Sequence, residues 1–171
     1  EANFKVKKNT GQPFIVRSGT MAVTALGTEF NVAAYPEENE MIATLIHGKI
    51  KVECDNGKES YIVTPGQQVT YHKSTGKSKL AEANIEDVTA WQKGMYVFRG
   101  VTMSAILNEL ERRYAVTFQY NANLFNDDKF NFRFREKSTL EDILNIMQEV
   151  VGGFNHELKG NICYIKRDAK K

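Results

Sequence analysis

Val23-Thr24-Ala25-Leu26-Gly27-Thr28-Glu29-Phe30-Asn31-Val32 lies within a stretch, Ser18 to Tyr71, that is punctuated throughout by glycine and proline. The same rhythm returns at Thr44-Leu45-Ile46-His47-Gly48-Lys49-Ile50-Lys51-Val52 and at Thr64-Pro65-Gly66-Gln67-Gln68-Val69. Short apolar runs broken about every ten residues predict a meander of short strands. Asn56-Gly57 is a strong hairpin signal, because both residues tolerate positive φ. Pro65-Gly66 suits a type II turn, with glycine at its positive-φ position.

Upstream, Phe4-Lys5-Val6-Lys7-Lys8 alternates as a strand does. Asn9-Thr10-Gly11 is expected to turn it, and Pro13 leads a second strand at Phe14-Ile15-Val16. Downstream, the all-β pattern is expected to end by residue 72. Residues 73–94 are polar and small at first and read as a linker. They end in a short helix over 85–93, capped by Asn84 and stopped by Gly94.

From residue 95 the period changes. Tyr96-Val97-Phe98-Arg99 reads as a strand ended by Gly100. Thr102 then caps a helix whose apolar face is Met103, Ile106, Leu107, Leu110 and Tyr114. Ala115–Tyr120 and Phe130–Arg135 read as strands. Ser138 with Glu141 forms a capping box for a second helix faced by Leu140, Ile143, Leu144, Met147 and Val151. Gly152-Gly153 stop that helix, and a hairpin over 154–165 turns at Lys159-Gly160-Asn161. The tail 166–171 is charged and expected to fray. Thr102-Met103-Ser104-Ala105-Ile106-Leu107-Asn108 echoes Thr139-Leu140-Glu141-Asp142-Ile143-Leu144-Asn145. Two strand–helix–strand repeats, each with one unburied apolar face, can close one core. The expected fold is therefore two modules. Residues 1–72 form an all-β, sandwich-like domain, and residues 95–171 form an α+β domain.

Composition narrows the function. The 171 residues carry a net charge of only +2, which argues against a nucleic-acid partner. Cys54 and Cys163 have neither metal spacing nor a CxxC arrangement. No run of 18 apolar residues occurs, so no membrane helix is expected within the sequence, and no signal peptide is recognised. The chain opens on Glu1 and reads as a piece of a longer protein.

Residue patterns that carry chemistry are scarce in the sequence. His47, His72 and His156 stand in separate elements without an i+3 or i+4 ligand partner. No nucleophile elbow or phosphate loop is present. The carboxylate pairs Glu37/Glu38 and Asp127/Asp128 read as solvated loops. Neither a catalytic residue, a cofactor nor a metal is expected. What remains is surface. On Phe130–Arg135 the phenylalanines face one way, while Asn131, Arg133 and Arg135 face the other. Those three are the candidate partner-binding residues, against the plainer reading of a solvated sheet face.

Val23–Val32, His47-Gly48-Lys49-Ile50-Lys51-Val52 and Pro65-Gly66-Gln67-Gln68 together resemble the FecR-like transmembrane anti-sigma regulators. The C-terminal half, through Phe98-Arg99-Gly100-Val101-Thr102 and Leu107-Asn108-Glu109-Leu110-Glu111-Arg112-Arg113-Tyr114, resembles the short signalling fold of secretins and TonB-dependent receptors. The resemblance implies a periplasmic, non-enzymatic region of a protein anchored in the inner membrane by one helix. Its implied partner is the N-terminal signalling domain of a TonB-dependent outer-membrane transducer. A sigma factor would be held by a cytoplasmic segment outside this sequence. The family's β domain carries strands ahead of the equivalent of Glu1–Val6. If those strands are missing, the β half is expected to expose an unpaired edge and this piece to self-associate more than the complete ectodomain does. The competing reading is a cell-envelope binding or structural module without sigma-factor control. An envelope hydrolase ranks third, because no acid–base pair is evident.

Overall fold

A computed structural model describes residues 1–8, 11–125 and 128–168. The turn expected at Asn9-Thr10, one carboxylate of the Asp127/Asp128 pair and the last three residues of the tail lie outside the described residues. Over these described residues the chain is β-rich, with three α-helices, and it divides into two compact units, Glu1–Thr89 and Ala90–Lys171.

The first unit contains β1 (Ala2–Lys5), β2 (Phe14–Ser18), β3 (Met21–Ala25), β4 (Glu29–Ala33), β5 (Glu40–His47), β6 (Ile50–Cys54), β7 (Glu59–Val63), β8 (Gln67–His72) and β9 (Lys77–Glu82). One sheet has the order β1-β4-β5-β8-β9 and the other β2-β3-β6-β7, with every pairing antiparallel. From β2 onward the chain advances as hairpins laid alternately into the two sheets. Period-2 alternation turns one face of each sheet inward. Met21, Val23, Ile50 and Val52 from one sheet meet Phe30, Ala43, Leu45 and Val69 from the other, all buried.

The three motif blocks of the sequence are the corners where the chain crosses between sheets. Leu26-Gly27-Thr28 joins β3 to β4, His47-Gly48-Lys49 joins β5 to β6, and Thr64-Pro65-Gly66 joins β7 to β8. Gly48 turns at φ +92°, and a Cβ there would lie 2.8 Å from Thr28 Cγ2 and 3.0 Å from the Gly27 carbonyl oxygen. Only glycine meets both demands without strain. At the third corner, the Gln67 amide donates to the Thr64 carbonyl at 3.1 Å, closing the turn around Gly66. The Gly66 amide donates onward to the Leu45 carbonyl at 3.0 Å, tying this corner to β5.

The two lateral margins of this sandwich differ. At one, β7 and β9 are joined by side chains. Glu59 Oε2 accepts from the Ser78 amide at 3.2 Å and from the Ser78 hydroxyl, and the Tyr61 hydroxyl stands 3.2 Å from both Glu59 Oε2 and the Ser78 carbonyl oxygen. At the other, β1 and β2 are the outermost strands, and the Phe4 ring lies 5.8 Å from Phe14 and 5.1 Å from Phe30. Residues 77–82, expected in a polar linker, instead form the edge strand β9. Their lysine- and serine-rich composition is that of a strand with one solvated edge. The helix α1 (Ile85–Thr89) starts at Asn84, whose Oδ1 accepts from the Asp87 amide at 3.2 Å.

The second unit opens with a 3-10 turn over Ala90–Lys93, where a continuation of the α-helix was expected. Then come β10 (Met95–Thr102), α2 (Met103–Tyr114), β11 (Thr117–Gln119), β12 (Lys129–Arg135), α3 (Leu140–Val151), β13 (Phe154–Lys159) and β14 (Ile162–Arg167). β10 pairs antiparallel with β12, while β14 lies between β11, to which it is parallel, and β13. The internal echo holds residue by residue at the helices. Thr102 and Thr139 are both N-caps, accepting from the Ala105 and Asp142 amides. Met103, Ile106, Leu107 and Leu110 are buried on α2, as Leu140, Ile143, Leu144 and Met147 are on α3.

Three local expectations are corrected. Gly100 does not end β10. It sits at φ +62° in a bulge between Arg99 and Val101, and the strand continues to Thr102. Ala115 and Val116 are not strand: Ala115 is the left-handed C-cap of α2, which delays β11 to Thr117. The capping box of α3 is Thr139 with Asp142, one residue beyond Ser138 and Glu141. That register places Leu140 at the first helical position, facing the core.

Gly48→Ala is expected to destabilise the first unit by about 3 kcal/mol, combining a left-handed backbone penalty with a buried clash. Urea unfolding should show the lowered midpoint with an unchanged slope. Gly76→Ala, whose Cβ would meet nothing within 4 Å, should cost less than half as much.

Candidate interaction surface

β12 carries the three residues proposed from the sequence. Its alternation is intact: Phe132 and Phe134 are buried and Phe130 is half-buried, while Lys129, Asn131, Arg133 and Arg135 are exposed. The phenylalanines hold the strand to the core. Phe132 stacks between Phe130 and Phe134 at 6.4 and 5.4 Å, and Phe98 of β10 meets Phe134 edge-on at 6.2 Å. Burial of Phe132 and Phe134, with Phe130 half-buried on the same face, fixes which side chains point outward.

The outward row is therefore basic. Register places Arg99 of β10 opposite Asn131, Val97 opposite Arg133 and Met95 opposite Arg135. Arg99 and Lys129 extend the cationic row beyond the residues singled out earlier. Lys129 was within reach of the same alternation. Arg99 became visible only through the strand pairing. Asn131 has a second duty: its Oδ1 accepts from the Gly100 amide at 2.9 Å, satisfying the donor that the bulge would otherwise leave unpaired. At the far end of β12, the Glu136 amide donates to the Gly94 carbonyl at 2.8 Å. The Arg113 guanidinium covers the Tyr96 ring at 3.1 Å and pairs with Glu109, fastening α2 over β10.

β12 has one strand neighbour. Among the described residues, β10 and β12 form a two-stranded sheet, so the outer edge of β12 has no strand partner. Its seven residues contain no proline, glycine or bulge; the bulge belongs to β10. β13 is likewise an outer strand, and on it Glu157 pairs with Lys159 at 2.9 Å and with Lys166 at 3.5 Å.

Two of the histidines serve the fold. His156, almost fully buried, has Nδ1 3.0 Å from Gln148 Oε1 and Nε2 3.5 Å from Glu141 Oε1, tying β13 to α3. His72 lies 3.3 Å from Glu40 across β5 and β8. Cys54 and Cys163 are free thiols with no exposed surface. Burial raises the Cys54 pKa. Burial, with the nearby Glu141 charge, pushes Cys163 up to about 11. Neither is a ready nucleophile. Among the described residues, no three His, Cys, Asp or Glu side chains are placed to hold a metal, and no helix is long and apolar enough to cross a membrane.

Residues 95–165 match the family model described as FecR, C-terminal. Two crystal structures, at 1.65 Å and 2.50 Å resolution, of a candidate anti-sigma factor from Parabacteroides distasonis ATCC 8503 superpose on this chain with TM-scores of 0.86 and 0.85. Each is 28% identical to it and aligns with 98% of this chain, covering 77% and 76% of the other. No curated protein matches the chain.

The thiols carry a pH signature. A thiol whose folded-state pKa exceeds the ordinary value near 9 contributes stability that is complete below that value and is lost as the pH rises. Stability is expected to fall between about pH 9 and about pH 11 as Cys163 ionises more readily in the unfolded chain. Denaturant midpoints across this range check it. Cys163→Ala should flatten that part of the profile, although the cavity it leaves lowers stability at every pH.

Proposed function

We propose that this chain, whose residues 95–165 form a FecR C-terminal domain, is the signal-relay region of a regulator that controls a sigma factor. One observation carries the reading. Similarity to a candidate anti-sigma factor extends over nearly the whole chain, across both the β unit and the FecR-matching unit.

The finer reading is a periplasmic one. The region works outside the cytoplasm and belongs to a protein anchored in the inner membrane by one helix. It receives its signal from the N-terminal signalling domain of a TonB-dependent outer-membrane transducer. The sigma factor is held by a segment distinct from the residues described above. The region acts by binding, with no catalytic step and no cofactor. Three features support a binding role: a basic outward row, a strand edge without a strand partner, and buried thiols with a histidine, His156, engaged in the fold. Asn131, Arg133 and Arg135 lie on the docking surface, and main-chain pairing with side-chain selection is a known mode for such surfaces.

Calorimetric titration of the chain with the isolated signalling domain of the transducer tests this. Saturable heat is expected with a dissociation constant below about 100 μM, equivalent to about 5.5 kcal/mol. An absence of binding at that concentration would overturn the transducer as partner. Light scattering of the chain alone, run alongside, separates this association from pairing of β1 or β2 edges between copies.

A further inference from the structure

We propose that the outer face of the β2-β3-β6-β7 sheet holds a site for a small zwitterion of dipeptide size, its carboxylate on Arg17 and its ammonium on Glu53. The inference goes beyond the relay reading and stands on the first unit alone.

The site is a cavity of about 290 Å³ whose lining includes Arg17, Thr20, Ala22, Glu53, Asn56 and Gly57. Strand register explains its shape. Ala22 lies opposite Arg17 on one side and opposite Glu53 on the other, so the three form one row across β2, β3 and β6. Parity turns that row outward, because Met21 and Val23, on either side of Ala22, are buried in the core. A methyl group between two long side chains leaves a trough, and Arg17 and Glu53 are its walls. Their backbones are two strand spacings apart, about 10 Å. Two hairpin turns close one end. The Asn56 amide donates to the Thr20 carbonyl at 3.2 Å, tying the β6–β7 turn to the β2–β3 turn.

The closing turn is strained. Asp55 at φ +49° and Asn56 at φ +56° are two of the three non-glycine residues with positive φ among the described residues. Asn56 and Gly57, at φ +91°, suit a tight hairpin turn, which asks for two such residues. Asp55 is a third, and closing the hairpin does not require it. Backbone strain in excess of what a turn needs collects where ligands are held.

The charges select the ligand. A simple anion drawn to Arg17 meets the Glu53 carboxylate on the facing wall, and a simple cation drawn to Glu53 meets Arg17. A molecule bearing both charges suits both walls at once. Lys51 pairs with Glu53 Oε1 at 2.8 Å from along the same strand and orients the carboxylate. The volume limits size. It stands at the bottom of the range of about 300–1,000 Å³ common for ligand pockets, which suits a dipeptide better than a larger molecule.

The test titrates the full chain with diglycine and follows backbone amide chemical shifts. Saturable shifts are expected at residues 17–22 and 53–57, with a dissociation constant of about 1–10 mM. N-acetylglycine has the same skeleton without the ammonium, and glycine N-methylamide has it without the carboxylate. Each should bind at least about tenfold more weakly, because it leaves one wall's charge unmet. N-acetylglycine binding as tightly as diglycine would overturn the zwitterion, and so would equal binding by glycine N-methylamide. Lack of saturable shifts at about 50 mM diglycine, or shifts centred elsewhere, would overturn the site. Arg17→Gln should abolish the advantage of diglycine over glycine N-methylamide and keep its advantage over N-acetylglycine. Glu53→Gln should do the reverse, and unchanged preferences in both variants would overturn the assignment of the walls. Arg17 is exposed and Glu53 half-buried, so both variants are expected to fold. Should either fail, the comparison of ligands on the unaltered chain still decides. These outcomes are independent of transducer binding, which the calorimetric titration tests separately.

Discussion

The first unit hangs on a close approach of two backbone corners. Gly48 turns with a positive φ against Thr28, near the Gly27 carbonyl oxygen, at distances that leave no room for a Cβ. The corners at Gly27 and Gly48 each carry the chain from one sheet to the other. If either were displaced, the hairpins on both sides would lose register, and a slip of one residue would turn Phe30, Leu45 or Val52 toward solvent. The aliphatic core supplies the driving force, but it selects this arrangement only because the corners permit it.

The second unit solves a different problem. Its two helices use the same chemistry at both copies of the internal echo: a threonine cap followed by four inward apolar residues. Each amphipathic helix is short and would be marginal alone. Packed together over the phenylalanines of β12 and over Phe154, they share a single core. The outward basic row is a by-product of that packing in the sense that the aromatic face determines its direction.

Much of this was legible in sequence, for physical reasons that differ between elements. Strict alternation at Phe130–Arg135 and the helix faces were read correctly because burial imposes their periods directly. The Gly27, Gly48 and Gly66 blocks stood out as motifs, yet their role as sheet-crossing corners was hidden, since nothing local says which sheet the next strand joins. β9 has the composition of a linker because an edge strand buries little and so tolerates lysine and serine. Gly100 reads as a strand end because a bulge and a terminus use the same residue. The candidate surface was half visible. Side-chain parity exposed Asn131, Arg133 and Arg135, while the contribution of Arg99 required knowing that β10 pairs with β12 in this register.

The alternation of hairpins between sheets also has a meaning in time. β3 finds its partner β6 only after β4 and β5 have been synthesised, and β5 waits for β8. A ribosome adds roughly 5–20 residues per second, so the apolar faces of Phe30 and Leu45 stay uncovered for seconds before their sheet can be completed. The last hairpin, β8–β9, both covers the central strand and brings Ser78 to Glu59. The strand that looks least like structure in the sequence is thus the one whose arrival seals the sandwich.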